Sequence, residues 1–225
     1  MDGPACESPR VTRREQLFAL ARATKGFMPD DEGVALFDAA LAACSSLAAP
    51  SIVEVGAWCG KSTVYLGAAA EETGAIVLSV DHHHGSEELQ EGWDDFDPEL
   101  VDPADGRVNT LGAWQRTMAD AALESCVIGL VGDSPTVARH VRPGVTFCFI
   151  DGGHGHDVAW ADYRAWVPLV GDRGVLAIHD VFEDPRDGGR PPLELYRHAI
   201  STGFTELAAT GSLRVLRRSG GGAGQ

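Results

Sequence analysis

Ile52-Val53-Glu54-Val55-Gly56-Ala57-Trp58-Cys59-Gly60-Lys61-Ser62-Thr63 is the stretch on which the reading of this chain turns. It opens with Ile52, Val53 and Val55, an apolar run of the kind a strand buried on both faces requires. Gly56 and Gly60 then bend the chain, and Lys61, Ser62 and Thr63 lead into a helix-forming run from Val64 to Glu71. Strand, glycine turn and helix together place backbone N–H groups and a helix N-terminus against a ligand.

Three ligands compete for such a turn. A phosphate-gripping loop needs Gly, four residues, then Gly-Lys-Ser/Thr. Gly60-Lys61-Ser62 matches the second half, but Val55 stands where the first Gly belongs and Gly56 comes one position late. The dinucleotide pattern Gly-x-Gly-x-x-Gly fails at Trp58, which occupies the place where a second Gly lets the backbone approach a pyrophosphate. A turn that tolerates bulk and follows a strand carboxylate, Glu54, suits an amino-acid-like or nucleoside ligand better.

Glu54 to Thr63 resembles the first motif of class I S-adenosylmethionine-dependent methyltransferases, in the small-molecule branch reading Glu-hydrophobic-Gly-x-x-x-Gly-x-Ser-Thr. The resemblance implies a cofactor, S-adenosyl-L-methionine, bound by Glu54, Gly56, Gly60, Ser62 and Thr63. A turn with two glycines in an unrelated α/β domain is the alternative that the other motifs must decide.

Composition narrows the function classes. A chain of 225 residues, 44% hydrophobic, makes one ordinary α/β domain with a full core. No apolar run approaches the ~20 residues of a membrane helix, and Met1 to Thr12 carries no hydrophobic stretch of a secretory signal. Cys6, Cys44, Cys59, Cys126 and Cys148 are odd in number and scattered. They suit reduced thiols in a cytoplasm rather than a disulfide framework or zinc ribbon. A net charge of −15 argues against nucleic acid. It also disfavours a strongly anionic substrate unless a basic pocket or a metal compensates. The expected partner is a small-molecule acceptor, with no membrane or nucleic acid; a homo-oligomer is left open.

The order of elements follows. Residues 1–11 read as disordered, and residues 12–218 as a single domain that starts with two helices over 12–45. The first helix runs from Arg13 to Ala23; Asp30 or Asp31 caps the second, which carries Val34, Phe37, Leu41 and Cys44 on one face. Both are expected over the sheet edge or the ligand mouth. Gly26 to Gly33 resembles the segment that closes over the cofactor in the same branch. Ala75 to Val80 is a second strand ending in Asp81, at the spacing where nucleotide-type folds hold a ribose; the alternative is an Asp that caps a loop. His82, His83 and His84 point in different directions, so at most one or two face a site. Residues 82–109 form a lid-like insertion on the substrate side, since a loop this long inside a compact domain is usually functional.

Thr110 to Leu123 reads as a helix and Val127 to Val131 as a third strand. Asp133 and Ser134 then line the adenine corner by resemblance, and otherwise cap a helix with Pro135 in its first turn. Val145 to Ile150 is a fourth strand, Val158 to Val170 a helix, and Gly174 to Ile178 a fifth strand. Pro191 starts a last helix. Phe204 to Ala208 and Leu213 to Leu216 close as an antiparallel hairpin, and residues 219–225 are a glycine-rich disordered tail. Strand–helix alternation means a doubly wound, mostly parallel sheet. The hairpin completes the seven-stranded Rossmann-like sheet of the class I methyltransferases.

A second constellation sits at Asp151-Gly152-Gly153-His154 and His179-Asp180, which end the fourth and fifth strands. Neighbouring strand ends lie ~5 Å apart, so two carboxylates and an imidazole converge as a candidate metal site. The pattern is similar to cephalosporin hydroxylase-like and macrocin O-methyltransferase-like families, which hold a divalent ion with an Asp after the fourth strand and two adjacent acids after the fifth. Here the first of those acids is His179, which shifts preference from Mg²⁺ toward Mn²⁺, Zn²⁺ or Fe²⁺. Metal ligands are therefore Asp151, His179 and Asp180, with Asp151 also catalytic and touching the cofactor. His154 is the candidate general base; His156 is a weaker one, beside an Asp157 expected to cap.

The function expected is S-adenosylmethionine-dependent, metal-assisted O-methylation of a small hydroxylated molecule. A metal-dependent hydrolase or oxygenase using the Asp/His cluster, and a cofactor-binding protein without catalysis, are the alternatives. The first reading requires Glu54, Asp81, Asp151 and Asp180 to border one cleft.

Overall fold

The computed structural model describes residues 11–220 except Asp94, Pro185 and Gly188. The disorder expected for residues 1–10 and 221–225, and Cys6, lie outside the described residues. Seven strands alternate with helices in the order α1 (Arg13–Ala23), α2 (Asp30–Cys44), β1 (Ser51–Val55), α3 (Lys61–Thr73), β2 (Ile76–Asp81), α4 (Leu111–Ala121), β3 (Val127–Val131), α5 (Ser134–Ala138), β4 (Val145–Ile150), α6 (His156–Trp166), β5 (Val170–Ile178), α7 (Pro191–Ser201), β6 (Phe204–Thr210) and β7 (Leu213–Arg218).

They form one sheet in the order β3-β2-β1-β4-β5-β7-β6. β1 to β5 are parallel, and β7 is antiparallel to both β5 and β6. This is the doubly wound sheet with a closing hairpin that the alternation implied. Successive strand residues point to opposite faces, and β4 uses that fully. Phe147 and Phe149 pack under α1 to α4, while Cys148 and Ile150 pack under α5 to α7.

Several boundaries moved, each for a local reason. Gly60 adopts φ 95° as the N-cap of α3, so this helix starts at Lys61 rather than Val64. Neither Asp30 nor Asp31 caps α2; Pro29 precedes it, and both acids fall in the first turn, where they meet the helix dipole instead. Gly155, not Asp157, precedes α6. β5 begins at Val170 because Val145 pairs with Val170 before a register shift restores Phe147 opposite Val175. Helices α1 and α2 lie on a face of the sheet, against α3, rather than over its edge.

Residues 82–109 are not structureless. Two short 3₁₀ turns, Glu87–Leu89 and Pro98–Leu100, and a bridge between Val101 and Val108 order them. Leu100 and Val108 bury against Cys59, and Lys25 pairs with Asp97 and Glu99.

The sheet order reverses between β1 and β4, the switch point at which open α/β sheets bind ligands. There Gly56 has φ 88°, and a Cβ on it would stand 2.1 Å from the Asp151 carbonyl oxygen. Gly56→Ala should therefore destabilise the fold by more than ~2 kcal/mol. Gly74→Ala, at φ 72° with nothing within 4 Å of the added carbon, should cost only the ~1 kcal/mol backbone term. Urea unfolding of the two variants measures the difference.

Candidate active site at the switch point

Beyond the carboxyl ends of β1, β2, β4 and β5 lies a cavity of ≈ 610 Å³, in the size range of small-molecule sites. Gly56, Ser62, Asp81, Asp133, Ser134, Asp151, His154, His179 and Asp180 all line it. Lys25 to Met28, and Gly85 to Leu89 of the 82–109 segment, line it as well.

Asp81 braces the glycine turn as well as facing the cavity. Its Oδ2 accepts from the N–H groups of Ala57 at 2.8 Å and Trp58 at 2.9 Å, and its Oδ1 from His83 N at 2.7 Å. Each carboxylate oxygen can take two donors, so Oδ1 keeps room for one ligand hydroxyl. Trp58 sits at φ 49°, a left-handed conformation unfavourable for a bulky residue. The two adjacent amide bonds to Asp81 hold it there.

Glu54 is the main correction. It is fully buried and does not reach the cavity. Its Oε1 accepts from Ser62 Oγ at 2.7 Å, and its Oε2 from Thr63 Oγ1 and Ser79 Oγ, both at 2.6 Å. The carboxylate thus ties the start of α3 to β1 and β2 from behind the turn. Thr63 is buried in the same network, also bonded by Trp114 Nε1 at 3.3 Å. Gly60 faces α4, where a side chain would meet Met118, Trp114 and Thr117. Of the four carboxylates required around one cleft, Asp81, Asp151 and Asp180 border it; the requirement fails at Glu54, which lies behind the turn.

At the end of β3, Asp133 and Ser134 stand at the start of α5 and at the cavity wall. Asp133 caps α5 by accepting from Thr136 N at 3.0 Å, and both residues line the cavity. Ser134 Oγ accepts from Trp166 Nε1 at 2.7 Å. Among the three adjacent histidines only His82 lines the cavity. His83 is buried against Thr110 Oγ1 at 2.8 Å, and burial lowers its pKa. His84 contacts the Val108 carbonyl at 3.2 Å.

On the opposite wall, Ile150 pairs with Ile178, so Asp151 and His179 leave the sheet side by side. Asp180 turns through φ 57°, a conformation Asp tolerates. His179 Nδ1 lies 3.0 Å from Asp151 Oδ1 and 3.3 Å from Asp180 Oδ2, and its Nε2 lies 2.5 Å from Glu32 Oε2. Burial opposes a charge on this ring, but Asp151, Asp180 and Glu32 together raise its pKa far above the ordinary histidine value. His179 and Ser212 depress the Glu32 carboxyl, and His154 and His179 that of Asp180, against the effect of burial. His154 Nε2 lies 3.0 Å from Asp180 Oδ2, and that bond raises the His154 pKa against the opposing effect of burial. Asp151, His179 and Asp180 each offer a ligand atom within 4.8 Å of the others.

Sequence reasoning missed three site residues. Asp162 of α6 lines the cavity, and burial pushes its carboxyl up to about 6. Glu88 of the 82–109 segment accepts from His154 N at 3.2 Å. Glu32 reaches His179 across 147 residues of sequence. The signal for two of them was present. Asp162 shares the apolar face Ala159, Tyr163 and Trp166 of α6, and Glu32 the face Leu36, Ala40 and Cys44 of α2. An acid on an apolar helix face needs a buried partner.

A family model described as a methyltransferase domain matches residues 53–181, more than half of the chain. The chain belongs to this family. The S-adenosylmethionine-dependent methyltransferase expected from the sequence motifs therefore stands.

Solved structures extend the likeness over the whole fold. An O-methyltransferase from Bacillus cereus in complex with S-adenosylhomocysteine is 17% identical, with a TM-score of 0.59 over 95% of this chain and 94% of that one. The O-methyltransferase TomG from Streptomyces achromogenes, involved in tomaymycin synthesis and in complex with S-adenosylmethionine, is 13% identical (TM-score 0.61; 92% and 90% covered). The methyltransferase PaMTH1 from Podospora anserina, bound to S-adenosylhomocysteine, is 10% identical (TM-score 0.61; 92% and 88% covered).

Glu54 also yields a pH test. Burial pushes its carboxyl up to about 7 from an ordinary 4.5, outweighing the three hydroxyl donors. The folded state therefore holds a proton that the unfolded chain releases above 4.5. This contribution to stability is complete below that pH and is lost as pH climbs through 7. In urea unfolding, the stability of Glu54→Gln relative to the parent should grow between pH 5 and pH 8 by up to roughly 3 kcal/mol, at ~1.4 kcal/mol per pKa unit.

Proposed function

We propose that this methyltransferase moves a methyl group from S-adenosylmethionine to a hydroxyl oxygen of a small molecule, with a divalent ion assisting at Asp151, His179 and Asp180. One observation carries the reading. A single cavity joins the glycine turn, Asp81 and the Asp133–Ser134 corner to the Asp151–His179–Asp180 cluster.

The cofactor's adenosine would lie between Asp81, whose free Oδ1 position takes a ribose hydroxyl, and Asp133 and Ser134. Gly56, the helix N-terminus at Ser62 and Asp151 would border its methionyl part. The acceptor would enter between Phe27 and Met28 on one side and Leu89 and Phe182 on the other, apolar walls with Glu87 and Glu88 beside them.

The cluster fits a divalent ion. Ligand atoms adjacent in an octahedron with ~2.1 Å bonds stand about 3 Å apart, and His179 Nδ1 lies 3.0 and 3.3 Å from the two carboxylates. Its other nitrogen is held by Glu32, the outer-shell carboxylate that metal-bound histidines commonly use. An ion there would take the place of the proton on Nδ1 and would lower the pKa of an acceptor hydroxyl.

The residues supply alignment and a place for the proton. As the new O–CH₃ bond forms, the S–CH₃ pair returns to sulfur and leaves S-adenosylhomocysteine. Holding the two reactants in line contributes ~7–11 kcal/mol. The acceptor proton would pass to His154 Nε2, beside Asp180. That base works only in its neutral form, so the rate should climb with pH as His154 gives up its proton. Free buried thiols at Cys44, Cys59, Cys126 and Cys148 suit a reducing cytoplasm, no described helix is long and apolar enough to cross a membrane, and the net charge of −15 speaks against a nucleic-acid acceptor.

Calorimetric titration with S-adenosylhomocysteine, with and without Mn²⁺, tests this. Both should bind. His154→Gln should lower kcat by 10²–10⁴ while nucleoside affinity stays within a few fold. Asp151→Asn should weaken Mn²⁺ binding by at least tenfold. Nucleoside binding without turnover on any hydroxylated acceptor, or an unchanged rate in His154→Gln, would overturn the reading.

A further inference from the structure

We infer that Glu32 is the positioning residue for His179, which makes helix α2 a working part of the metal site. The inference rests on the metal reading above and adds a residue from a part of the chain that the family match leaves out. That match spans residues 53–181. Glu32 precedes it and its second partner, Ser212, follows it, so the two flanks of the domain meet at the site.

The geometry is specific. Glu32 is 4% exposed and lies on the apolar side of α2, where an unpaired carboxylate would be costly. Its Oε1 accepts from Ser212 N at 2.6 Å. Its Oε2 accepts from Ser212 Oγ at 3.0 Å and lies 2.5 Å from His179 Nε2. An imidazole has its two nitrogens on different edges of one rigid ring. Once Nε2–H is given to Glu32, Nδ1 is the nitrogen that faces the cavity, 3.0 Å from Asp151 Oδ1. Glu32 thereby chooses both the tautomer and the ring orientation.

Close packing holds the carboxylate at that point from two more directions. A Cβ on Gly33 would stand 2.2 Å from the Tyr65 ring, so α2 sits down on α3 only because residue 33 has no side chain. A Cβ on Gly211, at φ 51°, would stand 2.0 Å from Glu32 Oε1, so the β6–β7 turn closes on the same oxygen only with glycine there. A plain tether between α2 and the hairpin would need the Ser212 bonds and nothing at His179.

Mn²⁺ binding and the imidazole spectra, compared among the parent, Glu32→Gln and Ser212→Ala, decide between positioning and tethering. Mn²⁺ titration, followed by loss of the free-ion electron paramagnetic resonance signal, should show 10–100-fold weaker binding in Glu32→Gln. Ser212→Ala keeps the backbone N–H bond to Glu32 and should bind Mn²⁺ like the parent. S-adenosylhomocysteine affinity should stay within about threefold in both variants. The second measurement needs no metal: ¹⁵N-resolved proton spectra of the imidazole N–H groups, with His179→Gln used for assignment. A downfield His179 Nε2–H resonance should be present in the parent, shifted upfield in Glu32→Gln and kept in Ser212→Ala. Ring resonances alike in the parent and Glu32→Gln, or a Ser212→Ala loss of Mn²⁺ binding equal to that of Glu32→Gln, would overturn the inference. A parent that binds no Mn²⁺ but shows the Glu32-dependent resonance would sink the metal reading and leave Glu32 as the orienter of the ring.

Discussion

Everything at this site depends on how closely two strand ends cross. Gly56, after β1, has no side chain where the Asp151 carbonyl passes. The crossing is stitched on both sides, with Asp151 N–H donating to the Val55 carbonyl at 2.8 Å and Gly56 N–H to the Val80 carbonyl at 3.0 Å. One wall of the cavity belongs to β1 and β2, the other to β4 and β5. Their separation is set at this point, because strands in one sheet cannot shift independently once their ladders are made.

Carboxylates do four different jobs around that crossing, and environment separates them. Asp81 is engaged by three backbone amides and keeps room for a ligand. Glu54 is sealed behind the turn among three hydroxyls, with its pKa pushed up to about 7. Asp151 and Asp180 meet an imidazole at the cavity wall. Glu32 serves that imidazole from behind. In a chain with net charge −15, so many acids in one region are tolerable because each has donors in place, three of them around His179.

Strain collects in the same place. Trp58, His83 and Asp180 all have positive φ outside glycine, a conformation costing of order 1 kcal/mol or more that persists where its surroundings over-determine it. Two of the three are tied by Asp81, at Trp58 N and His83 N. Asp180 is held by His154 and His179. The turns that present the site are thus kept in place by polar side chains rather than by local backbone preference.

Periodicity and punctuation made the fold legible from the sequence. Apolar β-branched runs at Ile52–Val55 and Val145–Ile150, glycines at 56 and 60, and the Phe204–Leu216 hairpin pattern are local signals, and local signals survive in one dimension. Asp81, Asp151 and His179–Asp180 were readable for the same reason, since each sits directly after a strand and strand ends share one edge. Which way a strand residue faces, and which distant helix reaches it, is a different kind of fact. Glu54 looked like a ligand because it lies beside the motif, yet its face of β1 points at Ser79 and α3. Glu32 and Asp162 belong to no motif in the sequence, yet packing of α2 and α6 against the sheet carries them to the site. The sequence determined the elements and the edge at which chemistry is possible; only the tertiary packing decided which carboxylates line the cavity, because burial and partner choice depend on side-chain direction and on residues up to 180 positions apart.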